Sequence, residues 1–176
     1  NDSNKGAAYI FKKNSDETWT EQSKLTANDA ADNDQFGSGV HIDGNYAIVG
    51  ARTKATGLKS YAGKAYIFKK IVDENNAETW SEQSAFKSDD LAAQDYFGAA
   101  VSIGGNYAII GAYQKNNGSD SYAGAAYIFK KDENDETWTQ QIKLTGSDAG
   151  IRFGNSVAIN GNYAIIGAYY EESKSG

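Results

Sequence analysis

The chain is 176 residues long and carries 17 Lys and Arg against 23 Asp and Glu, a net charge of −6 with the cations scattered rather than clustered. A phosphate backbone meets overall repulsion and no basic stripe, which argues against a nucleic-acid partner. With no Cys there is no disulfide, thiolate metal site or thiol nucleophile, and the longest apolar runs, such as Tyr107–Tyr113, are far too short to span a bilayer.

What remains is enough acidic, tyrosine-rich chain for one domain. It starts at Asn1 and contains no Met, so it is expected to be a processed product or an excerpt. The first predicted element is GAAYIFKK at Gly6–Lys13, apolar on both faces as a strand between neighbours must be. A polar loop leads to ETWTEQ around Trp19, whose third copy alternates: Trp138, Gln140, Ile142 and Leu144 share one face, and Thr137, Thr139, Gln141 and Lys143 the other. That predicts a half-exposed strand. After an acidic loop comes a strand opened by Phe36-Gly37, then a tight turn at Asp43-Gly44, then the two-faced strand NYAIVGA.

The four blocks then recur in the same order. YIFKK returns at Gly63–Lys70 and Gly124–Lys131, Trp at Trp80 and Trp138, Phe-Gly at Phe97 and Phe153, and GNYAI at Gly105 and Gly161. The Trp residues are 61 and then 58 residues apart, so the chain holds three units of one repeat. No useful length shows a helical period, Leu91–Phe97 being the nearest candidate. Four strands per unit and twelve in all predict an all-β chain.

Phe-Gly, a tight turn, YAIIGA, a polar loop and GxAYIF together resemble the FG-GAP repeat, and the bacterial subclass with WTQQxKL after YIFKK is especially similar. The resemblance covers essentially the whole chain. It implies a β-propeller, as in integrin α chains and many bacterial surface proteins, with an extracellular or cell-surface location and a bacterial source. The family's GAP tripeptide reads GAR at Gly50–Arg52 and GAY at Gly111–Tyr113 and Gly167–Tyr169. Its aspartate-rich calcium loop is reduced to IDGNY, IGGNY and INGNY. Calcium takes about six to eight oxygen ligands, so that cage does not carry over and no cofactor is expected from it.

Other candidate sites are few. The loop before Phe-Gly places Asp29, Asp90 and Asp148 in one column and Asp34 and Asp95 in another, while Ile151-Arg152 breaks the pattern in the third unit. Asp29, Asp34, Asp90 and Asp95 are the candidates for weak calcium binding; the plainer reading is turn chemistry, with Asp capping its own backbone. Trp19, Trp80 and Trp138 are candidate stacking platforms for sugar rings; the plainer reading is packing between neighbouring sheets. His41 stands alone without a nucleophile or acid beside it in sequence and is read as an inner-strand residue near the channel, so no catalytic residue is assigned. Asn117-Gly118-Ser119 and Asn1-Asp2-Ser3 match the N-glycosylation pattern. Variable loops at Thr53–Tyr61 and Lys115–Tyr122, with the terminal tails, are where ligand contacts are expected.

The function expected is therefore non-catalytic: an adhesion-type binding or assembly module with a protein or glycan ligand. A lectin with one site per repeat is the alternative. The strand order splits one unit between the ends of the chain, as half-blades at about 6–25 and about 153–168 around repeats at about 36–87 and about 97–144. Propellers use about four to eight blades, so three leave strand edges open. A homodimer closing a six-bladed ring is the simplest expectation; an open filament, an excerpt of a longer array and a β-trefoil fold are the others. In the dimer the tails, Gly167–Gly176 and Asn1–Gly6, would form the loop over the seam.

Overall fold

The computed structural model describes residues 4–146 and 148–170. Among them are twelve strands and no helix: β1 (Ala8–Lys13), β2 (Trp19–Leu25), β3 (Phe36–Asp43), β4 (Tyr46–Ala51), β5 (Lys64–Val72), β6 (Glu78–Phe86), β7 (Ala100–Gly104), β8 (Tyr107–Ala112), β9 (Ala125–Lys131), β10 (Trp138–Thr145), β11 (Ser156–Asn160) and β12 (Tyr163–Gly167). Asn1-Asp2-Ser3 and most of the C-terminal tail expected at the seam lie outside the described residues.

The strands form two four-stranded antiparallel meanders, β3-β4-β5-β6 and β7-β8-β9-β10, and two hairpins, β1-β2 and β11-β12. The Phe-Gly strands β3, β7 and β11 lie side by side, so the sheets spread from them as propeller blades. A β-trefoil would join strands of different repeats in one barrel. Here each four-stranded sheet uses consecutive strands only, which sets that alternative aside. By repeat position β11-β12 matches the inner pair of a blade and β1-β2 the outer pair, and the two stand as separate sheets.

Local chemistry fixes these elements. Gly44, Gly105 and Gly161 hold φ near +55° at the first central position of the β3-β4, β7-β8 and β11-β12 turns, as a type II′ hairpin demands. Gly63 binds blade to blade: it forms a parallel bridge with Phe97, and a Cβ there would collide with the Phe97 backbone. Gly6 and Gly124 do the same against Phe36 and Phe153.

The outer strands depart from simple alternation. Each carries a bulge at the same repeat position, so that Gln22, Gln83 and Gln141 fall outside the pairing of β2, β6 and β10. The bulge inverts the faces beyond it. Ile142, expected on the packed face with Trp138, is therefore exposed, and Lys143 turns inward instead.

The core lies between blades. Phe86 stacks on Phe129 with centroids 4.5 Å apart, and Phe97 meets Tyr127 and Phe129 edge-on. Aromatic pairs of this kind add about 0.5–1.5 kcal/mol each beyond area burial.

Candidate functional sites

The acidic loops before β3 and β7 are each filled by a lysine from the loop leaving the blade's second strand. Lys54 Nζ donates to Asp34 Oδ2 at 2.8 Å and to the Asp29 carbonyl, and lies 3.5 Å from Asp29 Oδ1. Lys115 repeats this with Asp95 Oδ2 at 2.9 Å, the Asp90 carbonyl and Asp90 Oδ2 at 3.5 Å. Lys54, Asp34, Lys115 and Asp95 are all buried. The second aspartate accepts one further bond, from the Ala31 or Ala92 N–H.

The first aspartate of each pair faces two more donors. Asp29 accepts from Lys64 at 2.8 Å and Tyr66 at 2.7 Å, and Asp90 from Lys143 and Tyr127, both at 2.7 Å. Burial pushes the Asp90 carboxyl up, but the bonds from Lys143 and Tyr127 and the nearby ammonium charges outweigh it and hold the group down at about 2. Asp29 is lowered by the same balance with Lys64 and Tyr66. Asp95 moves the other way, because burial outweighs its bonds to Lys115 and Ala92. Burial, then the facing carboxylates, raises the hydroxyls of Tyr66 and Tyr127. Among the described residues no three His, Cys, Asp or Glu are grouped to hold a metal ion. In the third unit both members of the buried pair change together: Ile151 stands at the aspartate position and Glu171 at the lysine position.

The tryptophans sit at blade junctions, two of them engaged. Trp80 Nε1 donates to Gln22 Oε1 of the preceding hairpin at 3.1 Å. Trp138 meets Tyr46 edge-on with centroids 6.4 Å apart and packs on Phe86. Both rings are half-buried, whereas Trp19 is 63% exposed. The bulged Gln22 is the partner of Trp80 that sequence reasoning missed, while the buried Trp138 Nε1 has no hydrogen-bond partner among the described residues.

At the end of the blades opposite the hairpin turns, exposed and half-buried tyrosines collect around one arginine. Tyr61 stacks on Tyr96 at 5.9 Å, Tyr96 touches Tyr113, and the Arg152 guanidinium lies over Tyr113, Tyr169 and Tyr170. Tyr61, Tyr96, Tyr122 and Arg152 all hold φ between +53° and +56°, a strained conformation for residues with a Cβ. Gln94, Gln114, Asn116 and Tyr122 line a small pocket beside them.

His41 Nδ1 accepts the Ile103 N–H at 3.2 Å, tying β3 to β7, and Ser102 Oγ makes the same tie to Ile159. A groove of about 640 Å³ opens on the free side of β1 and β3, lined by Tyr9, Ile10, Val40, Ile42 and Ile48 among others.

The FG-GAP repeat family model matches residues 19–68, 80–129 and 138–176, well over half of the chain. The chain belongs to the FG-GAP repeat family. The first two FG-GAP matches start at a Trp strand and run through the next YIFKK strand, and the third starts at Trp138, so the sequence unit is offset from the blade by one strand. That offset ties each blade covalently to its neighbour. FG-GAP domains are generally non-enzymatic, adhesion-type propeller modules typical of extracellular or surface proteins. No helix among the described residues is long and apolar enough to cross a membrane. No curated protein matches the chain.

Proposed function

We propose that this FG-GAP chain is a non-catalytic module of the bacterial cell surface that binds a protein or glycan ligand and completes its split blade with a second copy of itself. One observation carries the assembly: residues buried in the whole blades are exposed at the same repeat positions of the hairpins. Ile165 is 72% exposed where Ile48 and Ile109 are at 0%, and Phe11 is 52% exposed where Phe68 and Phe129 are at 3% and 4%. These positions differ in surroundings, not in residue type. The strand missing beside β1 is a copy of β12, and the strand missing beside β12 is a copy of β1. The expected product is a homodimeric ring or an open filament. Ile165→Glu tests it: the substitution adds a charge to an exposed position of the lone chain, yet should weaken association at least about tenfold. Unchanged association would overturn the proposal.

Glycan binding has its own support, at the tyrosine end rather than at the tryptophans. Tyr122 is 46% exposed beside the amides of Gln94, Gln114 and Asn116, and an aromatic face next to amides suits a pyranose ring with its hydroxyls. A glycan array should show binding that Tyr122→Ala abolishes and that changes at Trp80 and Trp138 leave in place. Loss on changing those tryptophans, with Tyr122→Ala silent, would contradict it.

A further inference from the structure

The register of the exchange can be read from the repeats; this inference rests on the self-association just proposed. Each blade junction repeats two sets of residues. The first is an isoleucine triad. Ile48 and Ile67 of one blade share a buried cluster with Ile103 of the next, and Ile109 and Ile128 pack with Ile159. The second is a latch between outer strands. Glu78 accepts from Lys12 and from the bulged Gln22, both at 2.6 Å, while Trp80 bonds Gln22. One junction on, Glu136 accepts from Lys69 and from the bulged Gln83, while Trp138 packs on Tyr46.

Counting forward along the same columns gives a third triad, Ile165, Ile10 and Ile42, and a third latch, Glu17 and Trp19 with Lys130, Gln141 and Tyr107. Within this chain both sets are split. Ile10 and Ile42 line the groove beside β1, while Ile165 lies on the far hairpin. Glu17 bonds locally to Lys13 at 3.3 Å. Lys130 stands 5.9 Å over the Tyr107 ring, as Lys69 does over Tyr46. Tyr107, Gln141 and Ile142 line a cleft of about 250 Å³ against β12.

We infer that the exchange runs in one register, with Ile10 of one copy opposite Ile165 of another, and that Glu17 and Trp19 of the first copy latch onto Lys130, Gln141 and Tyr107 of the second. Opposite charges meet at the latch, and Gln141 stands where it would meet Glu17 as Gln83 meets Glu136, or the indole as Gln22 meets Trp80. The backbone fixes the local geometry too. Lys70 donates its N–H to the Asn45 carbonyl, so Ile48 and Ile67, three steps further along the β4-β5 ladder, form a non-hydrogen-bonded pair. Ile165 and Ile10 inherit that pairing, whose Cα separation of about 4.5 Å suits a disulfide.

The chain has no Cys, so Ile10→Cys and Ile165→Cys proteins can be made separately, mixed and oxidised. The mixture should give a disulfide-linked pair at least about tenfold above either protein alone. It should also exceed Ile10→Cys mixed with Ile166→Cys, which points to the opposite face. Light scattering that finds oligomers without this cross-link would overturn the register and leave self-association standing; monomers would overturn both. For the latch, Glu17→Lys should weaken association at least about tenfold and the added change Lys130→Glu should restore it. A double variant as weak as the single one would overturn the latch.

Discussion

Tyr66 donates its hydroxyl to Asp29 at 2.7 Å, and Tyr127 donates to Asp90 at the same distance, each pair 37 residues apart. The bond pins the linker entering a blade to that blade's third strand. Tyr66→Phe or Tyr127→Phe removes a donor to a carboxylate without opening a cavity. Each should cost about 1.5–3 kcal/mol, the range for hydrogen bonds to charged groups. Urea unfolding at fixed protein concentration measures it.

Lys54→Ala should cost more. It leaves the buried Asp34 carboxylate without its ammonium, and breaking a buried pair on one side costs about 3–5 kcal/mol. Replacing both members with apolar residues, Lys54→Met with Asp34→Leu, should recover most of that loss. The third unit already does without the pair, having Ile151 and Glu171 in place of its members. A double variant as unstable as Lys54→Ala would refute this account of the loop.

Calcium should do little for the native chain. The lysine ammonium occupies the oxygen-lined loop that a cation would need, so calcium or a chelator should shift the melting midpoint by less than about 1 °C. A stabilisation that grows with calcium concentration would instead favour Asp29, Asp34, Asp90 and Asp95 as metal ligands.

Acid should act through Asp90. Its folded value of about 2 lies below the ordinary 3.8, so the stability it contributes is present above that range and is lost as pH falls from 3.8 towards 2. Asp95 has the opposite sign and another window: its carboxyl is raised, so the fold gains stability as pH falls through that raised value to 3.8, and the contribution is flat below it. Asp90→Asn should therefore flatten the fall in urea midpoint between about pH 4 and about pH 2, and Asp95→Asn should not.

The strands were legible because their cues are local: β-branched and aromatic runs, Gly at the type II′ turns, and Phe-Gly with a fixed partner in Gly63 and its copies. The bulge was not. Gln22, Gln83 and Gln141 look like ordinary alternating positions, and only the pairing of β1-β2, β5-β6 and β9-β10 shows that they are skipped. The lysine partners were hidden for another reason. Lys54 and Lys115 lie 20 residues beyond Asp34 and Asp95, in loops that read as variable. The sign in the sequence was joint loss, aspartate and lysine both absent from the third unit. The tyrosine end was obscured because Tyr96 and Arg152 share a column with Gln35, and only the positive φ common to all three marks it.

The most direct test of the central proposal is the solution mass of the unmodified chain, followed by light scattering across a dilution series. Half-blade exchange predicts a multiple of 18.9 kDa, a doubled mass for a ring or a rising series for a filament. A stable, folded species of 18.9 kDa at every concentration would contradict it.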